Sequence, residues 1–147
     1  IPGVTSFPMR RHPEFKYLVS LDGYTCSTRF EKLLAMGSVV LKQRSSFVSF
    51  FYEALREHIH YVPFWTVRSD DVFDSIQWLQ KHPKEAMRIA RAGSEFARNH
   101  LRRPARLCYW KALLEEYAKL LTYPPSLKDR PKAILLDDEE MMQTVKP

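Results

Sequence analysis

Leu18-Val-Ser-Leu-Asp-Gly-Tyr-Thr-Cys-Ser-Thr-Arg-Phe-Glu-Lys-Leu-Leu34 decides how this chain folds. It opens inside an apolar strand that spans Phe15–Leu21, and Asp22-Gly23 supplies the turn chemistry that stops it. Hydroxyl side chains follow, then an arginine at the head of a helix. Thr28 is placed to cap that helix, with Glu31 at the third helical position completing a capping box. Phe30, Leu33 and Leu34 line its buried side, and Gly37 suits its C-terminal cap.

Such a segment suits a phosphate or diphosphate group. In open parallel sheets ligands sit outside the carboxyl ends of strands, and this stretch leaves such an end. Gly23 lets backbone approach a ligand closely. Thr25, Ser27 and Thr28 offer hydroxyls, and the free N–H groups at the helix start favour an anion. Arg29 can hold two phosphate oxygens with its planar fork. The competing reading is a capped helix with Arg29 in solvent, because strand–glycine–helix turns are common. Asp22 beside the loop is a partner for a ligand hydroxyl or, as strand-end aspartates usually are, a turn former.

Working outward, Ser38–Leu41 is a short β-branched run of the kind buried in parallel sheets. Ser45–Ile59 reads as helix, with Phe47, Phe50, Phe51 and Leu55 at helical spacing. His60–Phe64 reads as a third strand ended by Pro63. Ser69-Asp70-Asp71 is expected to cap a helix through Leu79. His82-Pro83 opens another through about Asn99, with proline at a permitted first position and Gly93 inside the pattern as a point where the helix can break. A last helix over about Pro104–Leu121 repeats Leu107, Trp110, Leu114, Tyr117 and Leu121 every three or four residues. Alternating strands and helices followed by helices predict an α/β layer with a small parallel sheet flanked by helices. Residues 1–13, with Pro2, Pro8 and Pro13, read as a linker from upstream structure. Residues 14–123 read as the domain, and 124–147, with prolines and the acidic run Asp137–Glu140, as a loose tail.

The 147 residues are enough for one domain with a real core, and 45% apolar content stands well above the disordered range. The chain starts with Ile1, and we expect it to be a piece of a longer protein. A net charge of +6 permits an anionic partner without naming one. Only Cys26 and Cys108 occur, which excludes a disulfide scaffold and predicts two free, partly buried thiols. No apolar run reaches membrane-spanning length, and Ile1–Arg11 lacks the apolar centre of a signal peptide.

Other constellations are weaker. His58, His60 and His100 lack the cysteine or carboxylate that would complete a ligand spacing, so no metal is assigned and structural histidines are expected. Arg88, Arg91, Arg98, Arg102, Arg103 and Arg106 make one region basic. Phe96, Tyr109 and Trp110 fall on apolar stripes there, and Glu95 interrupts the row, so a solvated face is expected over a nucleic-acid patch. No nucleophile–base set is legible from spacing, since such sets are recognised by geometry.

Taken together, several motifs resemble glycosyltransferase family 90, the Rumi-type protein O-glucosyltransferases and capsule-associated glycosyltransferases. They are Lys16-Tyr17-Leu18, Gly23, Ser27, Arg29, Gly37–Leu41, Phe50-Phe51-Tyr52 with Leu55, and His60–Pro63. The likeness resumes at Gly93, Phe96 and Asn99-His-Leu101, and ends with Cys108-Tyr-Trp110, Leu113-Leu114, Glu116-Tyr117, Leu120-Leu121 and Tyr123. It spans about Glu14–Tyr123, in order. The resemblance implies a GT-B architecture in which this chain is the C-terminal, Rossmann-like, nucleotide-sugar-binding half.

By that resemblance Gly23, Tyr24, Thr25, Cys26, Ser27, Thr28 and Arg29 would wrap UDP, with Arg29 on the diphosphate. It further implies an inverting transfer from UDP-glucose or UDP-xylose to a protein or glycan acceptor, without a metal or other cofactor. The acceptor groove and catalytic aspartate of the family fall upstream of Ile1, so no catalytic residue is assigned here. The resemblance places the enzyme in the secretory pathway, in the endoplasmic reticulum lumen or Golgi. A membrane anchor upstream is compatible with it, although the Met142–Pro147 end lacks the retrieval signal some relatives carry. The alternatives are a basic helical domain that binds nucleic acid and a non-catalytic relative of the transferases.

Overall fold

The computed structural model describes residues 7–25, 27–123, 126, 128 and 132. Within them the chain runs β1 (Tyr17–Ser20), α1 (Arg29–Leu34), β2 (Val39–Gln43), β3 (Val62–Phe64), α2 (Asp71–Lys81), α3 (Pro83–His100) and α4 (Arg103–Lys119). The strands form a three-stranded parallel sheet in the order β1-β2-β3. Tyr17 pairs with Val39 and Ser20 with Lys42, while Leu41 pairs with Val62 and Gln43 with Phe64. This is the α/β layer that the alternation of strands and helices predicts.

Alternate strand residues point to opposite faces, so one sheet builds two cores. Leu18 and Val40 pack with Phe30, Leu33 and Leu34 of α1 and with Phe51, Leu55 and Phe96. Val39, Leu41, Val62 and Phe64 pack with Leu79 of α2 and with Ala86, Ile89 and Ala90 of α3. Covering both faces is what a buried parallel sheet requires. The chain divides into two compact units, Ile1–Leu101 and Arg102–Pro147, and both cores lie wholly in the first.

Several expectations are overturned. Ser45–Ile59 is not a helix; only Tyr52–Ala54 form a short 3-10 turn. Phe51 and Leu55 are buried, whereas Phe47, Val48 and Phe50 stay exposed, so one helical face is not what the core takes up. Phe51, Tyr52 and Tyr61 instead gather their rings around Phe30. His60 lies in a turn before β3 and does not begin the strand. Pro63 lies inside β3, where an edge strand tolerates the missing donor. Gly93 does not interrupt α3, and Cys108 is exposed, not partly buried. Pro83 does open α3 in its first turn. A 3-10 turn occupies Met9–Glu14, and most of 124–147 lies outside the described residues.

Helix starts also differ from the sequence reading. Thr28 makes no side-chain cap bond, because its backbone is already helical (φ −67°, ψ −4°) and a capping side chain needs an extended residue. Ser27 takes that job: its Oγ accepts the Arg29 amide at 3.3 Å. Asp71 does not cap α2. Its carboxylate instead accepts the amides of Trp65, Thr66 and Val67 and the Thr66 hydroxyl, and so holds Trp65 in the left-handed region at φ 59°. Burial pushes the Asp71 carboxyl up, but these donors outweigh it and hold the group well below the usual carboxylate range.

Candidate functional site

The segment Gly23–Arg29 leaves the carboxyl end of β1 and enters α1, the place where open parallel sheets receive ligands. Tyr24, Thr25, Thr28 and Arg29 are exposed, and Ser27 is half-buried. Cys26 lies outside the described residues. Among the described residues the Arg29 guanidinium has no ion-pair partner. A Cβ built on Gly23 would meet nothing within 4 Å, and its φ is not left-handed. Neither backbone nor packing demands glycine there, so open space above the main chain is what it provides.

Directly beneath the loop lies a buried ion pair that sequence reasoning missed. Lys42 Nζ stands 2.6 Å from Asp22 Oδ2, with the two side chains only 6% and 3% exposed. The same carboxylate accepts the Ser45 hydroxyl at 2.5 Å on Oδ2 and the Ser27 amide at 3.0 Å on Oδ1. Lys42 also donates to the Gln43 carbonyl at 2.9 Å, and the Asp22 amide donates to Gln43 Oε1 at 3.0 Å. The Lys42 ammonium lies 5.9 Å from the Phe30 ring centre and 5.7 Å from that of Tyr52. Burial alone would raise the Asp22 carboxyl. Hydrogen bonds from Lys42, Ser45 and the Ser27 amide, with the lysine charge, overcome that and leave it below its ordinary value. The signal was a lysine directly after the apolar run Val39–Leu41, in the same buried strand: a buried ammonium needs a partner, and the register Ser20↔Lys42 brings Asp22 within reach.

Asp22 is therefore a turn former held inside the protein, with its carboxylate occupied. Beside it, at the same end of the sheet, a recess of about 180 Å³ is lined by Lys42, Arg44, Ser45, Tyr52, Tyr61 and their neighbours. A wider cavity of about 770 Å³ lies elsewhere, against the starts of β1 and β2, with Lys16, Arg91 and Arg98 on its wall. It includes none of the loop residues.

The histidines are taken up by local structure. His60 Nδ1 accepts the Arg56 amide at 2.9 Å, and its ring packs on Phe96, as does that of His100. Among the described residues no group of three His, Cys, Asp or Glu side chains converges as a metal site would require. Arg88 is engaged by Glu85 and by the His58 carbonyl. Phe96 is buried as its stripe predicts, whereas Tyr109 and Trp110 are exposed. No helix of the described residues is long and apolar enough to cross a membrane.

The arrangement places exposed hydroxyls and a guanidinium that has no ion-pair partner among the described residues at one sheet end, while the amides of Gly23, Ser27, Arg29 and Phe30 are already bonded locally. It offers an anion the hydroxyls of Thr25, Ser27 and Thr28 and the Arg29 guanidinium as donors. Comparison with known proteins gives the following likenesses. The model of glycosyl transferase family 90 matches residues 2–145. Protein O-glucosyltransferase 2 of Danio rerio is 40% identical over 118 residues, which are 79% of this chain and 23% of that protein. Protein O-glucosyltransferase 1 of Homo sapiens is 38% identical over 112 residues, 76% of this chain and 28% of its own length. O-glucosyltransferase rumi of Drosophila pseudoobscura pseudoobscura is 33% identical over 120 residues, 81% and 29% respectively. The chain thus spans about a quarter of the length of the curated relatives it matches.

Proposed function

The chain belongs to glycosyl transferase family 90, and on that premise we propose that Gly23–Arg29 receives the UDP moiety of a sugar-nucleotide donor. In this reading the chain is the donor-binding part of a longer enzyme of the secretory pathway. That enzyme moves glucose or xylose to a hydroxyl of a protein or glycan, with inversion at the anomeric carbon. The acceptor oxygen forms its bond to that carbon as the bond to UDP breaks, and the acceptor's proton passes to a base. No residue of this chain is assigned as that base. The charge that grows on departing UDP is met by the Arg29 guanidinium and by the hydroxyls of Ser27 and Thr28. These donors do work that a metal does in other transferases.

One observation carries the reading: an exposed arginine, without a carboxylate partner among the described residues, opens α1 on the segment that leaves the carboxyl end of β1. Calorimetric titration of the full chain with UDP tests it. Arg29→Ala is expected to abolish detectable UDP binding, while Arg91→Ala, on the wall of the separate cavity, leaves it unchanged. Equal effects of the two substitutions would contradict the site.

A further inference from the structure

We propose that Asp22, Lys42 and Ser45 are positioning residues that fix the Gly23–Arg29 loop in its anion-receiving shape without touching the ligand. This rests on the donor-site reading above and deepens it. The bonds that the loop makes within itself are long: Gly23 N to the Thr25 carbonyl is 3.3 Å, Arg29 N to Ser27 Oγ 3.3 Å, and Phe30 N to the Ser27 carbonyl 3.5 Å. Bonds of that length are weak. Asp22 links the loop to β2 and the residue pair after it: its Oδ1 accepts the Ser27 amide at 3.0 Å, and its Oδ2 accepts Lys42 of β2 at 2.6 Å and the Ser45 hydroxyl at 2.5 Å. Charge-assisted bonds are also the stronger class. The place of Ser27, and through its hydroxyl the first amide of α1, is therefore set from below by Asp22.

Both oxygens of Asp22 are already engaged, Oδ1 by the Ser27 amide and Oδ2 by Lys42 and Ser45. A ligand phosphate would find the carboxylate turned inward, which also keeps a negative charge out of an anion site. Lys42 completes the logic. Its charge offsets that of Asp22, which stands 2.6 Å away, so the carboxylate is paired within the protein. A buried ion pair of this kind adds little net stability against an apolar pair of similar size. Stability and loop placement can therefore be separated by experiment.

The test compares the parent chain with Asp22→Leu combined with Lys42→Leu, and with Ser45→Ala as a milder cut that leaves the ion pair intact. Thermal melting, amide hydrogen exchange followed by NMR, and UDP titration are read on each. The double variant is expected to melt near the parent temperature, because two apolar side chains replace a buried pair. Exchange at the Ser27 and Arg29 amides quickens at least about tenfold, with Leu41 unchanged. The Kd for UDP rises at least about tenfold, as when a supporting residue lets a binding group drift. Ser45→Ala moves the same amides and the same Kd in the same direction by less, and carries the test if the double variant does not fold.

Exchange at Ser27 and Arg29 that matches the parent in both variants overturns the inference, whatever UDP does. So does UDP affinity that follows the melting temperature across the set. Arg29→Ala separates the two readings. If it abolishes binding while the double variant binds UDP like the parent, positioning fails and the donor site stands. If it leaves binding intact, the donor site fails, and the exchange rates still decide whether Asp22 holds the loop.

Discussion

Gly93 lies in the middle of α3, where glycine costs a helix roughly 1 kcal/mol relative to alanine. Its sequence position suggests a break, yet the helix runs through. The reason is on the neighbouring segment: a Cβ at 93 would stand 2.5 Å from the His60 carbonyl oxygen and 3.3 Å from Leu34 Cδ2. The carbonyl is main chain and cannot swing aside, so α3 or the turn before β3 must move. Gly93→Ala is expected to destabilise the protein by about 1–3 kcal/mol despite the gain in helix propensity, read as a lower denaturant midpoint. An increase in stability would show that the helix is not clamped there. Arg29 illustrates the other residue-scale lesson. Its type and its place at the head of a helix were legible in the sequence, while its freedom from any carboxylate among the described residues was not. Thr28 failed as a cap because one backbone angle decides whether a side chain can reach back, and no pattern of letters encodes that angle.

The segment between β2 and β3 shows where periodicity misleads. Phe47, Phe50, Phe51 and Leu55 sit at helical spacing, but the chain spends its polar groups elsewhere. Ser45 is bound by Asp22, Arg44 pairs with both oxygens of Glu57, and the Arg56 amide is taken by His60. Tertiary partners at both ends outbid the local ladder, and the aromatic rings are drawn to Phe30. His60 gives this element a pH dependence. Burial, the charge of Arg56 and His100 all depress its protonation in the folded protein. An Nδ1 that accepts an amide must also be unprotonated. The unfolded chain, with an ordinary histidine near pH 6.5, therefore binds the proton first. Stability from this group is complete above about pH 6.5 and declines as pH falls through the lower folded value. Denaturant midpoints are expected to fall between pH 7 and pH 5, and His60→Asn, which retains an acceptor, flattens that slope. An unchanged slope in the variant would remove His60 from the account.

At the scale of the molecule, both cores belong to the unit Ile1–Leu101. Leu41 is wholly buried at the centre of the sheet, whereas Leu114 on α4 is 61% exposed. Leu41→Ala is expected to cost about 2–5 kcal/mol, and Leu114→Ala to stay within about 0.5 kcal/mol, both by urea unfolding of the full chain. Comparable losses would place part of the stability on α4. Its sequence repeat suggested a single apolar stripe, but Leu107, Tyr109, Trp110, Leu113, Leu114 and Tyr117 are all exposed and spread around the helix.

The alternation of short β-branched runs with amphipathic stretches was sufficient by itself to give a parallel α/β layer, because burial on two faces and burial on one leave different hydrophobic periods. The glycine, hydroxyls and arginine after the first strand were likewise readable, since strand ends place such residues together by local geometry. The partnership of Asp22 with Lys42 and Ser45, twenty and more residues apart, came only from the tertiary structure. So did the clamp on Gly93 and the collapse of the expected second helix. Each depends on the register between strands and on the contacts of distant segments, and those are fixed by the packing of the whole sheet rather than by any stretch of neighbouring residues.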